Sequence, residues 1–237
     1  MTKPPRIYLD HAATTPILPA AKAAMAEALE RWANPSSPHA EGRAARAALE
    51  DARERIKRAL GWTGELIFTS GATEAIEIAL AGRGKDATRV STVEHDAVMR
   101  HRPGFECLEV DRDGLVRPDG LAPFLEAREA ADVFVIQHVN NETGVIQPVA
   151  ELGSVLARSD GPSPVLLCDC AQSAGKVPLP PADLIPISSH KLGGPPGVGA
   201  LLAKDLGRLT PSGGQERGYR GGTENLPAIL GLSLIHI

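Results

Sequence analysis

Short apolar runs that close on polar residues recur from position 65 onward, most of them separated by stretches with helical spacing. The runs at Glu65 to Thr69, Thr88 to Thr92, Phe105 to Val110, Asp132 to His138 and Val165 to Asp169 read as strands. Alternation of this kind predicts an α/β domain on a largely parallel sheet. Two further runs, Leu184 to Ser188 and Val198 to Ala203, flank a turn rich in glycine and proline, with Ser189-His190-Lys191 between strand and turn. Ahead of the alternation come an irregular arm around Tyr8 to Pro16, an alanine-rich helix from Leu18 to Trp32, and a longer helix that ends at Leu60. In the longer helix Ala45, Leu49, Ala52, Ile56 and Leu60 share one face and charge covers the other. Ser37 is its expected cap, Pro38 its first position and Gly61 its stop.

Composition narrows the function classes. The chain has 237 residues, 43% of them hydrophobic, and a net charge of −4 with only 3% aromatics, so neither a basic stripe nor a stacking platform for nucleic acid is present. No run of about 18 apolar residues exists, and MTKPPRIYLDHAATT has no apolar core of the secretory type, which predicts a cytoplasmic chain that spans no membrane. The three cysteines are too few for a disulfide scaffold, and Cys168-Asp169-Cys170 is not a zinc spacing, so no metal is expected. All three read as small buried hydrophobes in strands, with Cys168 and Cys170 on the face opposite Asp169.

Ligands of parallel sheets sit at the carboxyl ends of the strands, and the informative residues cluster there. Thr69-Ser70-Gly71-Ala72-Thr73-Glu74 runs from a strand into a helix, whose free N–H groups make a phosphate cradle; plain capping of the helix by Ser70 explains the same residues. It is not a nucleotide P-loop, and Gly197-Val198-Gly199 lacks the third glycine of a dinucleotide fingerprint. His95 follows a strand and suits covering a flat ring, moving a proton, or a simple hydrogen bond. Asn140-Asn141 suits either ligand orientation or a turn. Asp169 ends an apolar strand on a carboxylate that needs a cationic or hydrogen-bonding partner. Lys191 stands at the mouth of the sheet, where partial desolvation lowers an amine's pKa and makes it a nucleophile towards a carbonyl.

Together these are the parts that hold pyridoxal 5′-phosphate: a phosphate cradle, a ring-covering histidine, an acid for the pyridine nitrogen, a glutamine for the phenolic oxygen and a Schiff-base lysine. The sequence also resembles the cysteine desulfurases of the class V aminotransferase group. The resemblance rests on YLDHAATTP, NPSSPHAEG, FTSGATEA, VEHDAV, HVNNETGVIQP, CDCAQSAGK, SSHKLGGPPGVGALL and GGQERGYRGGTEN, in the family's order over nearly the whole chain. It implies the large domain of fold type I, with Lys191 as the Schiff-base lysine, His95 stacked on the ring, Asp169 on the pyridine nitrogen and Gln172 on the phenolic oxygen. Ala72, Thr73, Ser188 and His190 would hold the phosphate, Asn141 would lie beside the ring and substrate, and Thr223 would reach the phosphate of a neighbouring subunit in a homodimer.

The implied reaction removes sulfur from L-cysteine, giving L-alanine and an enzyme persulfide for a sulfur acceptor such as an iron–sulfur scaffold. In the family the persulfide cysteine and the arginine for the substrate carboxylate lie in a C-terminal small domain, beyond Ile237. The expected organisation is therefore an arm at 1–17, an incomplete cofactor domain at 18–232 and a truncated or foreign tail at 233–237. A selenocysteine lyase, or a fragment that binds the cofactor without turnover, is the alternative.

Overall fold

The apolar runs fold as strands β1 (Glu65–Thr69), β2 (Thr88–Ser91), β3 (Glu106–Leu108), β4 (Val133–Val135), β5 (Val165–Leu167), β6 (Leu184–Ser188) and β7 (Gly199–Ala203). This computed structural model describes residues 7–31, 33–101, 104–125, 132–158 and 163–234. Among them the strands form one sheet in the order β1-β7-β6-β5-β4-β2-β3. β7 runs against both of its neighbours and all other pairings are parallel, as the alternation predicts. β2 to β5 stop short of their expected carboxyl ends. Beyond them backbone bonds continue singly, from His138 to the Asp169 carbonyl and from Cys170 to the Pro186 carbonyl, so Thr92, His138 and Asp169 lie in loops rather than in a ladder.

The strand period of two sends alternate side chains to two cores. Leu66, Phe68, Ile185, Ile187 and Leu202 face the layer of α2 (Ala40–Ala59), α6 (Val149–Arg158) and α7 (Leu226–Ser233). Ile67, Leu184 and Leu201 face the layer of α3 (Ala72–Leu80). α1 (Pro19–Glu30) packs against α7. No helix among the described residues is long and apolar enough to cross a membrane.

Three local expectations are corrected. The cap of α2 is His39, whose Nδ1 accepts the Gly42 N–H at 3.2 Å; Ser37 and Pro38 stand outside the helix, where the Ser37 carbonyl packs so closely on Gly42 that a side chain there would collide with it. The charged face of α2 is not all solvated, because Arg53 is buried against Glu216. Cys107, on edge strand β3, is only partly buried, while Cys168 and Cys170 are fully buried just past β5 with their sulfurs 4.0 Å apart. The stop at Gly61 is as expected: its φ of +64° lets its own N–H and that of Trp62 turn back onto the Arg58 and Lys57 carbonyls. Ser233 closes α7; residues 235–237 of the expected tail, residues 1–6 of the arm and Trp32 lie outside the described residues.

Candidate functional site

The carboxyl ends of β1, β2, β4, β5 and β6 open on one cavity of about 660 Å³. Ala72, Thr73, His95, Asn141, Asp169, Gln172, Ser188, His190 and Lys191 all line it. Thr223 does not; it is exposed, on the loop that carries Arg220.

α3 points its N-terminus at this cavity. Its N-cap is Gly71, with no side-chain cap, so Ser70 does not cap the helix; Ser70 lines the cavity instead. Unsatisfied first-turn N–H groups at a helix start favour an anion. The approach of β7 fixes the floor: a Cβ on Gly199 would stand 2.7 Å from the Gly71 Cα and 2.5 Å from the Ile187 carbonyl oxygen, so only glycine lets the three backbones meet.

Glu74 ties this helix start to the Arg220 loop. One carboxylate oxygen accepts the Ser70 N–H and the other accepts Arg220 Nε at 2.9 Å. Partial burial opposes ionisation of Glu74, but these donors outweigh it and hold the carboxyl below its ordinary range. A depressed carboxylate contributes stability above its unfolded pKa and loses it as pH falls through the folded value. Glu74→Gln is therefore expected to lower the unfolding midpoint at pH 7, with the gap to the parent chain closing on acidification below the unfolded value of 4.5. Urea unfolding at several pH values checks this, and a gap independent of pH would refute it.

Asp169 is buried beside the cavity, with Oδ1 accepting the Ala171 N–H at 2.8 Å. Burial raises its pKa against the pull of that N–H and of the His95 and Lys191 charges, which leaves a carboxylate with an unmet demand for a cation. His95 caps the short helix α4 (Asp96–Met99) by accepting the Ala97 N–H at Nδ1, 3.1 Å away, so in the neutral ring Nε2 carries the proton. The adjacent asparagines divide the roles left open by the sequence. Asn140 makes the turn, its Oδ1 accepting the Glu142 and Thr143 N–H groups at 2.9 and 2.8 Å, and Asn141 lines the cavity.

Lys191 ends a single helical turn after β6. Burial lowers its pKa, and Asp10 and Asp169 partly restore it. Its amine donates to the Ala12 carbonyl, which also receives the Gln172 side-chain amide at 2.9 Å. The arm is fastened across this loop by Thr15 N–H to the His190 carbonyl and Leu18 N–H to the Gly193 carbonyl, both at 2.8 Å, and by the Thr15 hydroxyl to the Lys191 carbonyl at 3.0 Å. Asp10, Ala12, Ala13 and Gln137 line the cavity without having been picked out as site residues from the sequence. Ala12 acts through a backbone carbonyl far away in the chain, which leaves no side-chain signal to read.

The aminotransferase class-V family matches residues 7–235. The chain is 40% identical over 249 residues to the cysteine desulfurase IscS of Dictyoglomus turgidum and 38% identical over 251 residues to an IscS-like cysteine desulfurase of Mycobacterium tuberculosis. Each alignment covers 95% of this chain, but only 62% and 63% of the relative, so the chain spans less than two thirds of the length of these relatives. Among solved structures, a NifS-like protein from Rickettsia africae superposes with a TM-score of 0.90 at 33% identity, over 97% of this chain and 68% of the other. SspA in complex with cysteine superposes with a TM-score of 0.85 at 32% identity, over 97% and 72%. These likenesses bear out the expected fold, an α/β domain of the fold type I class. With the family matched from residue 7 to residue 235, the chain belongs to the class-V aminotransferases.

Proposed function

We propose that this chain is the cofactor-holding part of a pyridoxal 5′-phosphate-dependent cysteine desulfurase, which takes sulfur from L-cysteine and leaves L-alanine. The observation that carries the reading is the convergence of a desolvated lysine, a buried carboxylate and an uncapped helix start on one cavity. Those residues fit the cofactor's three chemical ends. The start of α3, with Ala72, Thr73, Ser188 and His190, suits a phosphate, and Asp169 supplies the anion that a protonated pyridine nitrogen requires. When bound, pyridoxal 5′-phosphate supplies a carbonyl that condenses with amines and a ring that withdraws electrons from the bond being cleaved.

The chain's own residues do the rest. Lys191 presents an amine that burial makes easier to deprotonate than an ordinary lysine, so it can serve as nucleophile and as base. Asp169 would hold a proton on the ring nitrogen. His95 would face the ring with its Nε2 proton, the Gln172 amide, which here donates to the Ala12 carbonyl, would turn to the phenolic oxygen, and Asn141 would orient the substrate. Among the described residues no cysteine lines the cavity, so the thiolate that accepts sulfur does not come from them. Thr223, exposed on the Arg220 loop, is assigned to the phosphate site of a second copy in a homodimer. A soluble sulfur-acceptor protein such as an iron–sulfur scaffold, and a cytoplasmic setting, complete the reading.

Borohydride reduction of the purified chain with added pyridoxal 5′-phosphate, followed by peptide mapping, tests it. The expected result is a phosphopyridoxyl group on Lys191. Labelling spread over surface lysines, or none, would refute the assignment. Sulfide release from L-cysteine under a thiol reductant then separates a chain that turns over from one that only holds the cofactor.

A further inference from the structure

Behind the cavity wall lies a second carboxyl that the reading above does not use. Glu94 directly precedes His95 in the loop after β2 and is 8% exposed. Its Oε1 accepts the Gln137 N–H at 2.7 Å, and its Oε2, also buried, has no hydrogen-bond partner among the described residues. β2, β4 and β5 are adjacent, so Glu94, Gln137 and Asp169 follow one another across the carboxyl edge of the sheet. The two carboxyls interact through their charges.

We propose that Glu94 is a positioning residue, held as a neutral carboxylic acid so that Asp169 is the single anion at this end of the sheet. The proposal rests on the assignment of Asp169 to the cofactor's ring nitrogen. Two carboxylates that share a buried site cannot both ionise cheaply, and the charge goes to the one with the better partners. Asp169 has the Ala171 N–H and the charge of Lys191. Glu94 has one backbone N–H; the titratable groups that bear on it are Asp169 and Cys168, both on the segment after β5, and neither is a cation. Burial, with Asp169 adding to it, pushes the Glu94 carboxyl well above its ordinary range. An ionised Glu94 would compete with Asp169 for the protons and cations of the site. A neutral one leaves Asp169 as the anion available to a pyridinium.

Infrared spectroscopy of the 237-residue chain without added cofactor tests this. At pH 7 the chain is expected to show the C=O band of a protonated carboxyl, shifted by carbonyl ¹³C labelling of glutamate but not of aspartate, and absent from Glu94→Gln. No band, a band that moves with labelled aspartate, or a band that survives in Glu94→Gln overturns the proposal. Stability gives a second readout. A raised carboxyl contributes stability below its unfolded value of 4.5 and loses it progressively as pH rises through the folded value. The ratio of unfolding constants, parent over Glu94→Gln, should therefore grow about tenfold per pH unit in that window; parallel profiles overturn the proposal. If Glu94→Gln does not fold, the labelled parent chain still decides between the two residue types. A chain that takes up no pyridoxal 5′-phosphate defeats the reading of the cavity but leaves the infrared result standing.

Discussion

Lys191→Ala loses the borohydride-fixed label entirely, while its far-ultraviolet circular dichroism and unfolding midpoint stay close to those of the parent chain. That is the expected result because Lys191 contributes little to the fold: among the described residues its side chain makes one hydrogen bond, to the Ala12 carbonyl, and it lines the cavity rather than a packed core. Where turnover of L-cysteine is measurable, the same substitution is expected to cost about a thousandfold or more, the scale on which an activated nucleophile is lost. The pH dependence carries a sign. Burial lowers the lysine's pKa against the opposing pull of Asp10 and Asp169, so the neutral amine gains population as pH rises, and does so at a lower pH than for an ordinary lysine. Capture of pyridoxal 5′-phosphate should accelerate with pH accordingly, and Asp10→Asn should shift that profile to still lower pH. Stopped-flow absorbance measures both, and a profile shifted upward in Asp10→Asn would contradict the electrostatic account.

The second large effect is on stability. Glu216→Ala is expected to cost about 3–5 kcal/mol, the range for removing one partner of a buried ion pair. Arg53 is 1% exposed and donates to Glu216 at 2.7 and 3.0 Å, to the Leu66 carbonyl at 2.6 Å and to Glu50 at 2.9 Å, with its guanidinium 4.7 Å from the Phe68 ring centroid. Glu216 also accepts the Phe68 N–H at 2.7 Å, so its loss strands a backbone donor on β1 as well as a cation. Glu50, which is partly solvated, offsets only part of this. Glu216→Gln retains an acceptor for Phe68 and is expected to fall between the parent and Glu216→Ala in urea unfolding. An apolar double replacement of Arg53 and Glu216 would still leave the Leu66 carbonyl and the Phe68 N–H without partners, so it should not restore the parent midpoint.

These two cases mark what the sequence made legible. Lys191, Asp169 and the start of α3 could be read because each stands where a strand hands over to a loop, and strand ends follow from runs of apolar residues. The register of β6, Leu184–Ser188, was legible to the residue because both of its ends are set by composition. Arg53 was not, since a helix heptad of charge looks the same whether it meets water or a buried carboxylate far along the chain. The cap of α2 was misread for a related reason: Ser37 is a preferred capping residue and histidine is not, and the tight contact of Ser37 with Gly42, which keeps Ser37 outside the helix, is a property of the folded backbone. Glu94 was passed over because burial, the one property that sets it apart from a surface glutamate, belongs to the sheet around it.

The strand order has a consequence for how the chain comes off the ribosome. β1 is made first yet lies at the sheet edge with β7 as its neighbour, Glu65 opposite Ala203, and its Phe68 amide waits for Glu216. Until more than two hundred residues have been synthesised, this apolar strand has no place in a ladder, and the arm has no Lys191 loop to lie across. Completion of the sheet is thus deferred until β7 has been made, with the first strand exposed until then as a sticky edge. A nascent chain paused before β7 would be the species most in need of a chaperone.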